Sequence, residues 1–445
     1  MGDGITEIPY HAFYNCMALS RVYLGDNVQS IGDQAFFMCY KMDSLYLSQS
    51  LSSIGVNAFA VCQQLKHVFI SDLAAWCGVR IKDVYGSPLY ASSGKLYLNG
   101  DELIECKIPD GVAIVNDYVF AGCTSIKCLM LPATVTSIGR GAFEFCESLD
   151  TISFSEGLTN LGNACFLNCK KLKRIKIPDS VTCIGIQAFT NCSSLCELRF
   201  GKTLSSIESN AFYNCGALTS LEFPDALIEL GPESFRNCSN LSSIIFGKGL
   251  KTIGGFAFAS CTKLTALELP HGVTEIGDGA FRDCYGLTTI SLPDSITTIG
   301  LATFTNCSEL QHIEIPKAVI SLGANAFLGC SSLESIVAKA KMPPVCDASF
   351  DNVNYQNAVL FVPEQSLQAY KSDPEWKRFK SITGVCMSNV VGDLNCDDEV
   401  SIADVNVLIN AIVAEEMDSR MDLNGDGELN VGDINEIIDI ILQTD

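Results

Sequence analysis

Thirteen cysteines fall in two blocks within which the interval is always 23 residues: Cys16, Cys39 and Cys62, then Cys123 and every twenty-third position to Cys330. Three residues before each stands a phenylalanine, from Phe13 to Phe327, and eight before each stands Ile, Leu or Val, commonly followed by glycine (Gly32, Gly55, Gly139, Gly162, Gly185). Apolar residues return 3, 6 and 8 positions after the cysteine, as in Leu218, Leu221 and Phe223, and a proline often closes the unit (Pro132, Pro178, Pro224, Pro270, Pro293, Pro316). A single unit this short cannot bury its own apolar face, so successive units must stack. The spacing predicts a solenoid. The +3, +6 and +8 side chains of a short strand point inward, Gly and Pro punctuate the turns, and equivalent residues lie about 4.8 Å apart along a parallel ladder. Phe and Cys then form interior columns.

Two stretches break the interval. Cys62 and Cys123 lie 61 residues apart, which is not a multiple of 23. Leu103, Cys106, Ile108 and Pro109 still fit the strand positions of a degenerate unit, and Leu96–Leu103 reads as a hairpin around Asn99-Gly100. Residues 71–102, which include Trp76, are therefore an expected excursion from the regular coil. Near the other end Phe350 and Pro363 mark one last degenerate unit, and Glu364–Phe379 looks helical, so that 341–382 forms a cap over the open end. The chain opens inside a repeat with no cap in front of it, the pattern of a trimmed form.

Residues 1–382 resemble the BspA-type leucine-rich-repeat family through the pattern I-G-x-x-A-F-x-N-C-x-x-L-x-x-I-x-L-P. The resemblance implies an α/β-type repeat solenoid that is curved, with parallel strands on its concave face. It also implies a bacterial protein, secreted or attached to the cell surface, that adheres to or recognises other proteins.

A thiol in every coil admits three readings: a buried column of small hydrophobes, disulfides along the ladder, or a metal array, for which the paired spacing of zinc sites is missing. Nine cysteines fall outside the register (Cys77, Cys106, Cys128, Cys165, Cys183, Cys196, Cys346, Cys386, Cys396), and a bridge among them is open. Many free thiols in a secreted protein would fit an anaerobic habitat.

Positions +4, +5 and +7 after each cysteine point outward. The +7 column begins with an aromatic stripe, Tyr23, Tyr46 and Phe69, passes a basic patch of Lys173, Arg174, Lys176 and Arg199, and continues as an acidic comb, Glu222, Glu268 and Glu314. The aromatics suit a sugar or a peptide ligand, or are strand formers stacked on themselves. The basic patch suits an acidic partner, the protein's own tail included, or is a solvated face. No phosphate loop, nucleophile motif or metalloprotease motif is present. His67 and His312 are about ten coils apart, too far to share a site, and catalysis is not expected.

The acid is uneven. The 445-residue chain carries a net charge of −22, of which residues 390–445 contribute 15 acids against Arg420 alone. Such a chain is a poor partner for nucleic acid or anionic lipid, and no apolar run is long enough to insert into a membrane. Hydrophobic residues at 48% exclude global disorder.

Within 391–445 two twelve-residue segments repeat at an interval of 29. Asp393, Asn395, Asp397, Glu399, Ser401 and Asp404 occupy positions 1, 3, 5, 7, 9 and 12 of the first, and Asp422, Asn424, Asp426, Glu428, Asn430 and Asp433 those of the second. Hard oxygens at this spacing, with position 7 offering its carbonyl, suit two Ca²⁺ ions. Asp398 stands in the first loop where glycine normally makes the turn. Each loop runs into an apolar helix but has no entering helix, and position 12 is Asp rather than Glu. In this the segment resembles a type I dockerin, a small all-α module with two EF-hand-like loops. That resemblance implies docking onto a cohesin module of a scaffold, in a cellulosome or on a cell surface. It places the contact at Ile402, Ala403, Ile409 and Asn410, and at Val431, Gly432, Ile438 and Asp439; the usual Ser/Thr at positions 10 and 11 are absent.

The sequence thus reads as a non-catalytic recognition solenoid (1–382) joined by a linker (383–390) to a calcium-loaded dockerin (391–445), with a protein or glycan ligand on the concave face. One alternative is a free adhesin whose terminus is merely calcium-stabilised. Another is an enzyme or regulator acting through the solenoid face.

Overall fold

The computed structural model describes residues 4–388, 390–414 and 418–443. Each regular coil contributes two short parallel strands. Three-residue strands such as Arg21–Tyr23 and Ser44–Tyr46 pair at an offset of 23 on one face, with Tyr23 opposite Tyr46. Two-residue strands such as Ser30–Ile31 and Ser53–Ile54 pair with the same offset on another. This second ladder runs unbroken through eight strands from Ile114–Val115 to Glu275–Ile276. The β-branched or leucine residue eight before each cysteine is the buried member of each short strand.

The expected α/β character is absent from the regular coils, which are strand and turn only. The reason lies in the backbone. Residues five and one before each cysteine adopt left-handed conformations, as in Asn210 (φ 57°) and Asn214 (φ 60°), and a left-handed residue every few positions prevents a right-handed helix from winding. Asparagine tolerates that region best. It also forms its own ladder, Asn191 Nδ2 donating to Asn168 Oδ1 at 3.0 Å and Asn214 Nδ2 to Asn191 Oδ1 at 2.9 Å.

The interior columns are as expected, with one addition. Phe120 to Phe350 stack with ring centroids 4.9–5.8 Å apart and interplanar angles of 4–17°. The cysteines are free and do more than fill space. Each buried column thiol except Cys123, which meets the Ser125 hydroxyl, donates to the carbonyl of the phenylalanine one coil earlier, as from Cys62 to Phe36 at 3.0 Å and from Cys215 to Phe189 at 3.3 Å.

Residues 71–102 are less of an excursion than the sequence suggests. A short helix, Leu73–Cys77, buries Trp76, but Arg80–Ile81 and Lys95–Leu98 rejoin the two ladders in parallel. The hairpin is present, Lys95–Leu98 against Asp101–Glu102, with Asn99 and Gly100 both at positive φ as a tight turn of that type requires. At the far end Tyr370, Trp376 and Phe379 close over Phe350. The last strand, Ser381–Val385, extends the sheet beyond 382 into the segment expected to be a linker.

One carboxyl is poorly solvated. Glu144 is half-buried beside the Tyr118 ring and the backbone of Gly141, and burial raises its pKa to about 7.

Two predictions follow from this packing. Burial pushes the column thiols at Cys192, Cys238 and Cys284 up to about 12, so they stay protonated and shielded. Native alkylation at pH 8 followed by mass mapping will label exposed Cys196 and spare the column; rapid labelling of the column contradicts the packing. Glu144 prefers its neutral form when folded. Its stabilising contribution is full below the unfolded pKa of about 4.3 and is lost as pH rises through about 7. Glu144→Gln will raise the thermal midpoint at pH 8 and leave it little changed at pH 4.5.

Candidate functional site

The three-residue strands present their flanking side chains to solvent. Here the aromatic stripe is a continuous stack: Tyr23–Tyr46 and Tyr46–Phe69 have ring centroids 4.2 Å apart. A fourth ring that the sequence reading passed over, Tyr97, stacks on Phe69 at 4.7 Å. The signal was in the hairpin, but the insertion moves this ring 28 residues from Phe69 rather than 23. His67 Nδ1 lies 3.2 Å from Tyr97 Oη. Because the rings cover one another's faces, the ladder shows solvent its edges. A sugar stacks on ring faces, so this ridge suits apolar protein side chains better than a glycan.

The basic patch is internally neutralised. Lys173 pairs with Asp150 (3.1 Å), Arg174 with Glu197 (3.4 Å), Lys176 with Glu156 (3.3 Å) and Arg199 with Glu197 (2.8 Å). The acidic tail does not dock there. It meets the solenoid at Lys341, whose ammonium lies 2.9 Å from Asp398 and donates to the Asp397 carbonyl.

Besides the break at the hairpin, the long-strand ladder opens in two places, between Glu197–Arg199 and Ser220–Glu222 and between Ser243–Ile245 and Ala266–Glu268. In both cases the strand before the opening ends in Phe-Gly (Phe200-Gly201, Phe246-Gly247) rather than an apolar residue and proline. Each of these half-buried rings lies edge-on to the column ring of the next coil, Phe200 to Phe212 and Phe246 to Phe258, and the strands on either side remain neighbours although their pairing is interrupted. The first opening forms part of a cavity of about 700 Å³ lined by Glu197, Arg199, Lys202, Ser220, Glu222 and Ile245, among others.

In the acidic segment both loops share one hydrogen-bond scheme. Asp404 accepts from the amides of Leu394, Asn395 and Ser401, and Asp433 from those of Leu423, Asn424 and Asn430. Asp393 accepts from Asp397 and Asp398, and Asp422 from Asp426 and Gly427. Oxygens of Asp393, Asp397 and Asp404 converge within 4.8 Å of one another. Asp398 does take the turn expected of glycine, at φ 73° against 82° for Gly427. Asn395, Glu399 and Ser401 line the first loop, and Asn424, Asp426, Glu428 and Asn430 the second. Helices Ile402–Ala414 and Val431–Gln443 leave the loops and bury Leu408 and Ile437 between them.

The predicted contact residues Ile402, Ala403, Ile409, Asn410, Val431, Ile438 and Asp439 are exposed, and Gly432 partly so. One residue extends each stripe, Val413 (79% exposed) the first and its equivalent 29 positions on, Leu442 (68%), the second. Their helical spacing from Ile409 and Ile438 was the available signal. The first loop is also covalently held: Cys396 is bridged to Cys386, just beyond the last solenoid strand. Gln365 donates to the Asn395 carbonyl at 3.0 Å.

Comparison with known proteins bears on the solenoid. The BspA-type leucine-rich-repeat region matches in six copies, over residues 1–75, 94–186, 168–265 and 230–357. A leucine-rich repeat protein from Bacteroides ovatus is 26% identical with a TM-score of 0.52, over 75% of this chain and 82% of that one. One from Eubacterium ventriosum is 22% identical with a TM-score of 0.51, over 70% and 82%, a likeness of fold alone. No curated protein matches the chain. No helix among the described residues is long and apolar enough to cross a membrane. With the repeat model covering most of its length and the stacked coils in place, the chain belongs to the BspA-type leucine-rich-repeat family.

Proposed function

We propose that this chain is a non-catalytic recognition protein of the bacterial exterior, binding a protein ligand through its long-strand face and attaching by its C-terminal module to a cohesin-type scaffold partner. The observation that carries the tether is the duplicated loop: two copies of one carboxylate-and-amide scheme, each followed by a helix with an exposed apolar stripe at equivalent positions. The donor set of hard oxygens fits Ca²⁺ at both loops. Without the ion, clustered carboxylates repel, so binding and folding of the module are coupled. A second reading, a calcium-stabilised terminus with no external partner, draws on the bridge and ion pair that hold the first loop against the solenoid.

The test uses the full chain as bait for surface extracts, in Ca²⁺ and in EDTA. Capture of a cohesin-bearing protein in Ca²⁺ only supports the tether, while Ca²⁺ uptake without capture favours the second reading. Proteins retained in EDTA are ligands of the solenoid. In parallel, native mass spectrometry will count two Ca²⁺ ions, and Asp397→Asn and Asp426→Asn will each lose one. Limited proteolysis in EDTA will cut within 391–443 and spare the solenoid; an identical pattern with and without EDTA contradicts the coupling.

A further inference from the structure

Resting on the recognition reading above, we infer that the long-strand face between Ser220 and Ile315 docks a cationic polypeptide segment in the polyproline II conformation. Along these coils the +7 column reads Glu222, Ile245, Glu268, Ser291, Glu314, all exposed, so an acid stands on every second coil. The neighbouring +5 column is low: Ser220, Ser243, Ala266, Thr289, His312. No Lys or Arg occupies the +4, +5 or +7 positions of these coils. A column of mostly short side chains therefore runs beside a carboxylate comb.

The pitch of the comb selects the partner. Strands about 4.8 Å apart place acids on alternate coils about 10 Å apart. A polyproline II chain advances about 9.3 Å per three-residue turn and returns every third side chain to the same face. An extended β-strand covers a similar distance in three residues, but its first and fourth side chains point to opposite faces. A helix with cations seven residues apart also spans about 10.5 Å. Its own amides are satisfied internally, however, whereas the open backbone of a polyproline II chain can bond to the hydroxyls of Ser220, Ser243 and Thr289. Ile245, 60% exposed between two teeth, offers an apolar seat for a proline ring, beside the cavity of about 700 Å³ that it shares with Glu222 and Ser243.

The teeth are not equal. Glu314 is held by Lys339 at 2.6 Å and lies 3.8 Å from His312, whereas Glu222 and Glu268 make no ion pair with any described residue. Those two carry the charge complementarity.

The full chain in Ca²⁺ is titrated by fluorescence anisotropy with three dye-labelled peptides of equal charge: five Pro-Pro-Lys triplets, the same five lysines at every fourth position among prolines, and an alanine-rich helical peptide with lysine at every seventh. The acidic module attracts all three through charge alone, so the comparison isolates spacing. The expected result is about tenfold tighter binding of the triplet peptide, with that preference abolished in the Glu222→Gln/Glu268→Gln double variant. Equal affinity for all three, preference for the helical peptide, or a triplet preference that survives the double variant each overturns the inference. Failure of the recognition reading looks different: no protein is then retained by the full chain in EDTA. A retained protein indifferent to the double variant leaves that reading standing and removes this one.

Discussion

Eleven of the thirteen column cysteines tie their coil to the one before it by the same small contact, a thiol donating to the carbonyl of the preceding coil's phenylalanine. The contact is individually weak, but it sits where the phenylalanine rings stack and the coil makes its tightest turn. The carbonyl already accepts the amide of the cysteine three residues on in its own coil, its second lone pair takes the thiol of the next coil, and cysteine supplies that donor at the volume of a small hydrophobe. Serine would bring a more polar group into an apolar column, and alanine would leave the carbonyl with the in-coil amide alone. Ring stack, thiol column and both strand ladders share one 23-residue step through the regular coils; where the step changes, as in the last coil, both ladders advance by 24 while Phe350 still stacks on Phe327, so the extra residue is absorbed between the columns.

This shared step leaves the outward positions free. The aromatic edge ladder, the neutralised basic patch and the acidic comb occupy the same columns of successive coils and differ only in side chain. Local variation also reshapes the face. Where Pro follows the strand, as after Phe223, the ladder stays closed and the ring is buried; where Gly follows, as after Phe200 and Phe246, the ladder opens while the short-strand ladder behind it continues. Phe-Gly after a strand thus goes with interrupted pairing on one face while the core behind it is undisturbed.

Much of this was legible because period and chemistry coincide. The 23-residue interval, the interior Phe and Cys columns, the Asn99-Gly100 hairpin and the two acidic loops all carry residue types that only one arrangement accommodates. What was hidden depended on the backbone or on neighbours. The two-residue strands are too short to alternate visibly, and the left-handed position five before the cysteine is filled by residues as different as Gln187, Asn210 and Phe256, so no composition marks it. The basic patch looked available because its partners, Asp150, Glu156 and Glu197, stand outside the +7 column. Of nine off-register cysteines nothing in the sequence singled out Cys386 and Cys396, which the fold brings together at the junction. That junction gives the module a fixed seat: the bridge, Lys341 and Gln365 all grip the first loop.

The claim on which the account rests is that register, more than any single coil's sequence, holds the solenoid together. It is tested most directly by excising residues 239–261, one full step that joins Cys238 to Thr262, and comparing thermal unfolding with that of a chain lacking only 239–260. The account predicts that the 23-residue deletion retains a cooperative transition within a few degrees of the parent, whereas the 22-residue deletion broadens or loses it. Equal stability of the two deletions, or collapse of both, would contradict it.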